Sequence, residues 1–285
     1  MSGDFPIRRG FVDASFGQVH YRTGGSDGDL PLVMLHSSAS SSRMMLPLIR
    51  ELVRRRRVFA LDTPGNGESD PLPMEAPEMT NFVEAAWEAL DGLKINRFDL
   101  YGTHFGTRLA TEMAIQQPNR IRKLVLDGEG LPSDALLQTL LQRVAPDIIP
   151  DHQAIYLTRT WHYIRDYYLF FPWYETGTEN RRPTGLPSAE TLHEKLLEVL
   201  HNGRTYGRSY RAGLRYPLEQ RLPLVPVPTL IATAVTDNAL PCLDQLAACL
   251  PHARKLRTPG FLTLDAAAQT AAMFLDFLSE PEVHA

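Results

Sequence analysis

Short apolar runs alternate with helix-patterned stretches through the first 130 residues of this chain, and the alternation resumes after about residue 228. No other feature constrains the fold as strongly. PLVMLH (31–36), RVFALD (57–62), RFDLYG (97–102) and RKLVLDG (122–128) are too short for helices and apolar on both faces, as buried strands are. Between them, MMLPLIRELVRR, residues 81–93 and GTRLATEMAIQQ carry helical spacing, the last stopped by Pro118. GFVDAS and QVHYRT, split by Phe16-Gly17, read as an opening hairpin. PTLIATAV (228–235), a helix at 242–250, ARKLRTP (253–259) and AAAQTAAMFLDFL complete the series. Strands alternating with helices predict a mostly parallel sheet covered on both faces.

The alternation breaks between residues 131 and 223, where helical stretches and an aromatic cluster replace it. The expected organisation is therefore one α/β core built from 1–130 and 224–285, with 131–223 inserted as a helical block. With 285 residues the chain is long enough to need no disulfide or metal staple. Twenty-nine Lys and Arg against thirty-three Asp and Glu give a net charge of −4, which argues against a nucleic-acid partner. The run Arg54–Arg57 reads as cations complementing a helix C-terminus. No apolar run is long enough to span a membrane. The opening MSGDFPIRRGFVD lacks the apolar core of a signal peptide, and Cys242 and Cys249 are the only cysteines. The expected setting is the cytoplasm, with no disulfide; monomer and homodimer are both left open.

Five segments then carry a resemblance. LHSSASSS (35–42) sits where the α/β-hydrolase fold has its oxyanion loop. LDTPGNGESD (61–70) resembles that family's D-x-P-G-x-G-x-S turn. YGTHFGTRLA (101–110) has the Gly-x-Nuc-x-Gly frame of its nucleophile elbow. AVTDNALP (234–241) resembles the loop that supplies the acid, with Asp237 in its place. TPGFLTLDAAAQTAAMFLDFL (258–278) resembles the segment of the histidine and the last helix. Their order implies an α/β-hydrolase fold, with a mostly parallel, roughly eight-stranded sheet and an inserted helical cap.

Two departures matter more than the matches. His104 stands where the family expects Ser, Cys or Asp, and Phe261 stands where Gly-His-Phe would place the histidine. His252 and His284 are poorly placed to substitute. A serine acyl-enzyme is therefore not expected. His104, on a tight strand-to-helix turn, reaches further than a serine and could approach Asp237 directly. In that His–Asp dyad, Asp237 fixes the imidazole and a free ring nitrogen acts as general base. The alternative is a frame that is inherited and inert. The Phe105 N–H and one from Ser37 or Ser38 are the expected oxyanion donors. Asp127 is the second choice of acid, and Glu129 reads as a loop carboxylate. His36 reads first as a buried histidine bonded to backbone, with a substrate contact as the sharper alternative. Asp62 and Ser69 order their turn.

Nine of the chain's twenty-five aromatic residues fall between Tyr156 and Tyr174. Most pack the insertion; two or three of Trp161, His162, Tyr168, Phe171 and Trp173 are expected to face a pocket, with His162 a reserve acid or base. Arg204, Arg208, Arg211 and Arg215 share one face if the segment is helical. Surface ion pairs are the simpler reading; the sharper one turns Arg208 or Arg211 toward an anionic substrate group. Phe261 should pack beside the His104 ring. No nucleotide or metal motif is present, so no cofactor is expected. The implied activity is cofactor-independent and directed at a small aromatic or apolar carbonyl compound, such as an ester or lactone. A lyase, cyclase or isomerase using the same dyad, and an inactive ligand-binding relative, are the alternatives.

Overall fold

The computed structural model describes residues 5–26 and 30–281; His284 lies outside them. Eight strands form one sheet: β1 (Arg8–Ala14), β2 (Gly17–Gly24), β3 (Leu32–Leu35), β4 (Val58–Leu61), β5 (Phe98–Thr103), β6 (Ile121–Asp127), β7 (Thr229–Ala234) and β8 (Arg254–Thr258). Their order is β1-β2-β4-β3-β5-β6-β7-β8. The hairpin β1–β2 is antiparallel, β2 runs antiparallel to β4, and every later pairing is parallel. The central strands β3 and β5 are buried along their whole length, as continuous apolar runs require.

Ten helices accompany the sheet among the described residues: α1 (Leu46–Leu52), α2 (Met79–Gly92), α3 (Phe105–Gln116), α4 (Asp134–Arg143), α5 (Ile155–Leu169), α6 (Ala189–His201), α7 (Tyr206–Arg215), α8 (Leu218–Arg221), α9 (Leu243–Cys249) and α10 (Leu264–Ser279). Helices α1 and α10 cover one face, packing Leu48, Ile49, Phe274 and Phe277 on Met34, Tyr101 and Val125. Helices α2, α3 and α9 cover the other, with Phe82, Leu109 and Leu246 in its core. Residues 131–223 give the sheet no strand. Helices α4–α7 have an apolar cluster of their own, centred on Leu140, Tyr163, Ile164 and Val199.

One expectation changes here. Arg56, in the basic run, is 4% exposed and turned inward, where its guanidinium meets Asp99 at 2.5 Å. Arg122 meets the same carboxylate at 2.5 Å. A carboxylate buried in the sheet's rim needs partners, and these cations supply them.

Candidate active site

The elbow begins with glycines. A Cβ on Gly102 would lie 2.1 Å from the Gly106 carbonyl, and one on Gly106 would lie 2.2 Å from the Leu35 carbonyl. Only glycine lets β5 turn this sharply into α3 against β3. The residue between them absorbs the strain: His104 has φ 51° and ψ −112°, a conformation that costs a non-glycine residue of order 1–3 kcal/mol. The turn lifts the imidazole to the C-terminal edge of the sheet, beside the loops that follow β3, β6 and β7. Ligand sites of open parallel sheets lie at this edge.

Nε2 of His104 is 3.2 Å from Oδ2 of Asp237. Asp237 follows β7, and the Ala239 N–H donates to its other oxygen at 2.8 Å. His104 thus stands within hydrogen-bonding reach of Asp237. No ring nitrogen is left free: Nδ1 lies 3.0 Å from the Thr103 hydroxyl. The imidazole ionises at about 9. Burial alone would lower that value; the Asp237 charge and hydrogen bond outweigh it, with Glu129 and Asp127 adding to the effect. The ring keeps 40% of its side-chain surface open to the space above. Asp237 is also buried, yet His104 and the Ala239 N–H hold its carboxyl below the usual range. Asp127 ends β6 and accepts from the Tyr101 hydroxyl at 2.8 Å. Burial pushes its carboxyl up to about 6, with Tyr101 opposing and Asp237 assisting the rise. Gly128 floors the dyad at φ +72°; a Cβ there would stand 2.8 Å from His104 Cε1 and 3.1 Å from Asp237 Oδ2.

A cavity of about 250 Å³ opens over the ring. Ser37, Ser38 and Phe105 line it near His104. Phe105 is the first residue of α3, so its N–H has no acceptor within the helix. The hydroxyls of the serine loop turn elsewhere. Ser37 donates to Met44 Sδ at 3.1 Å and Ser38 to Ser209 at 3.1 Å. Ser41 donates to Glu198 of α6. That carboxylate was not anticipated beside a serine. It is buried, but Lys195 keeps it below its ordinary pKa, which makes it a weak base.

From the inserted block, Tyr167, Phe171, Tyr210 and Leu214 reach the cavity. Two or three of the five named candidates were expected there; Phe171 is the one that lines it. Trp161, Tyr168 and Trp173 pack within the block's apolar cluster. Trp173 is fixed there by donating to the Val144 carbonyl at 3.1 Å. His162 faces outward. Nor does His36 reach the cavity. It is fully buried, with the Ser37 carbonyl 2.6 Å from Nδ1 and the Thr63 N–H donating to Nε2 at 2.9 Å. It ties the loop after β3 to the turn after β4. Phe261 is absent from the cavity lining and packs with the α1–α10 core.

The arginine stripe also points away. Arg208 donates to the carbonyls of Leu72 and Met74 at 3.1 Å, Arg211 lies 3.5 Å from the Ala145 carbonyl, and Arg204 and Arg215 are exposed. The arginines that line the cavity are Arg108 and Arg182. Arg108 is committed to Glu129 at 3.0 Å and to the carbonyls of Gly130 and Gly213. Arg182 packs on the Tyr167 ring at 5.2 Å and donates to the Tyr167 carbonyl at 2.9 Å. Its charge also bears on Asp237. Nothing local marked Arg182 in its Pro/Gly-rich loop; a long-range β-bridge between Phe170 and Arg181 brings it in. Among the described residues no group of three or more His, Cys, Asp or Glu is placed to hold a metal ion, and no helix is long and apolar enough to cross a membrane.

The sheet order, the elbow and the loops at its rim define the class, and the chain belongs to it: a family model described as "alpha/beta hydrolase fold" matches residues 31–261. The 2-hydroxymuconate semialdehyde hydrolase of Pseudomonas sp. (strain CF600) is 37% identical over 112 residues, 37% of this chain and 38% of that protein. The 2-hydroxy-6-oxononadienedioate/2-hydroxy-6-oxononatrienedioate hydrolase 2 of Pseudomonas putida is 34% identical over 131 residues, 44% and 43% of the two chains. The chain thus matches less than half the length of either relative. The enol-lactonase of Burkholderia xenovorans LB400 superposes with a TM-score of 0.73 at 18% identity, covering 95% of this chain and all of that one; at that identity the likeness is one of fold.

Proposed function

We propose that this chain is a hydrolase of small carbonyl compounds, esters or lactones, that works without an elbow nucleophile and uses His104 as general base with Asp237 as its partner. Residues 131–223 are, in this reading, the cap that closes the site. One observation carries it: the residue on the elbow is an imidazole, 3.2 Å from a carboxylate on the acid loop, beneath a cavity. The relatives named above are hydrolases by name, which supports hydrolysis as the reaction type.

With an ionisation near 9, the resting pair at neutral pH is imidazolium and carboxylate. The neutral ring is then present in about 1% of molecules at pH 7. When the ring gives up its proton, its attraction to Asp237 falls. Water entering between Nε2 and Oδ2 donates to both and becomes the nucleophile. The Phe105 N–H and the serine loop stabilise the oxyanion that forms. Arg182, on the cavity wall, meets a carboxylate elsewhere on the substrate. The test is a panel of small esters, lactones and carbon acids, wild type against His104→Ala. Turnover of an ester or lactone lost in the variant supports hydrolysis; turnover of a carbon acid alone moves the assignment to proton abstraction. A second reading rests on the imidazolium and Arg182 at the cavity, where Arg108 is already paired with Glu129: carboxylate binding without turnover. Saturable binding of small carboxylates with no reaction across the panel selects it.

A further inference from the structure

Arg182 is held at both ends. Its backbone N–H donates to the Leu169 carbonyl, at the end of α5, at 2.8 Å, beside the bridge between Phe170 and Arg181. Its guanidinium lies over the Tyr167 ring at 5.2 Å, and Nη1 donates to the Tyr167 carbonyl at 2.9 Å. A further contact comes from the core. Asn238, the residue after Asp237, lines the cavity together with Arg182. A guanidinium only donates, so the Asn238 amide must turn its oxygen, not its NH2, toward the arginine. In that orientation Oδ1 accepts from Nε at 2.8 Å and from Nη2 at 3.2 Å. Three of the five guanidinium hydrogens are then used. The two left over, one on Nη1 and one on Nη2, match the two oxygens of a carboxylate.

We propose that Asn238 is a positioning residue that holds the Arg182 guanidinium on the cavity wall with two donors free for a substrate carboxylate. The proposal rests on the reading of Arg182 as the carboxylate's partner and says what orients it. An arginine side chain that nothing holds must be ordered by its ligand, at a cost in affinity. Consecutive residues of the acid loop then serve both polar ends of the site: Asp237 faces His104 at 3.2 Å, and Asn238 faces Arg182. A carboxylate at Arg182 and a carbonyl above His104 are thereby set against the same short stretch of backbone. The alternative is that Asn238 saturates the guanidinium and keeps it from ligands.

Calorimetric titration with benzoate, and with its neutral analogue benzamide, separates the two whatever the reaction. Wild type binds benzoate more tightly than benzamide. Asn238→Leu and Asn238→Ala each weaken benzoate roughly tenfold, the order of the cost of immobilising a free arginine side chain, and leave benzamide nearly unchanged. In an Arg182→Met background the Asn238 substitutions add nothing, because the two residues act as one unit. A wild type that binds benzoate no more tightly than benzamide, or an Arg182→Met variant that binds benzoate as wild type does, overturns the carboxylate reading and the proposal with it. Loss of benzoate in Arg182→Met, with Asn238→Leu and Asn238→Ala binding it unchanged or more tightly, overturns the positioning role alone. An equal loss of benzamide in the Asn238 variants does the same.

Discussion

An imidazole on a nucleophile elbow changes what the elbow can do. A serine there needs a base from another loop; in the proposed reading His104 is itself the base and needs only a carboxylate. Replacing it by serine should therefore not restore ordinary esterase activity, because among the described residues no other histidine lines the cavity. An esterase assay of His104→Ser checks this, and robust turnover would contradict it. The ion pair also has a thermodynamic signature. The folded-state ionisation of His104, about 9, lies above the ordinary histidine value of 6.5. Its contribution to stability is fully present below about 6.5 and is lost as pH rises through about 9. Thermal melts of wild type against His104→Gln should show the wild-type advantage shrinking across that window. His104 and Asp237 were legible in the sequence because each sits in a motif frame with few geometries. Arg182 and Gly128 were not: their places at the cavity depend on which distant loops meet. The arginine stripe misled because helical spacing tells which residues share a face, not what that face meets.

At the scale of elements, the five ordered segments made a mostly parallel, roughly eight-stranded sheet legible, since alternation admits few crossovers. Burial of single charges was not. The basic run after α1 has the composition of a solvated helix end, yet Arg56 turns in to share Asp99 of β5 with Arg122 of β6. Removing the carboxylate takes away the buried anion that the two guanidiniums share. Asp99→Ala should cost about 3–5 kcal/mol, read from chemical denaturation; a loss under 1 kcal/mol would mean that water already reaches the cluster. The turn after β4 makes a related prediction. Asp62 is buried, but the His20 hydrogen bond at 2.8 Å and the Ser42 N–H at 2.7 Å hold its carboxyl down at about 2. A depressed carboxylate contributes stability above its unfolded pKa of about 4 that is lost as pH falls toward 2. Asp62→Asn should flatten the acid limb of the stability profile.

For the whole molecule, the cavity belongs to neither part alone. The α/β core supplies His104, Asp237, Ser37, Ser38 and Phe105; residues 131–223 supply Tyr167, Phe171, Arg182 and Tyr210. Aromatic composition announced a block of rings but could not say which face the sheet. With the serine-loop hydroxyls turned to Met44, Ser209 and Glu198, a fluorophosphonate probe should label no serine stoichiometrically, as intact-mass spectrometry would show. Arg182→Met should raise KM for carboxylate-bearing substrates and leave KM for neutral ones nearly unchanged. The central claim is that a histidine on the elbow, loaded with a proton at neutral pH, becomes the base as it loses that proton. The pH dependence of kcat/KM for hydrolysis, in wild type and in Asp237→Asn, tests it most directly. The account predicts a wild-type rate rising about tenfold per pH unit to a plateau near 9, and a plateau reached at lower pH in Asp237→Asn. A wild-type profile that is flat between pH 7 and 9, or one that falls through 9, would contradict it.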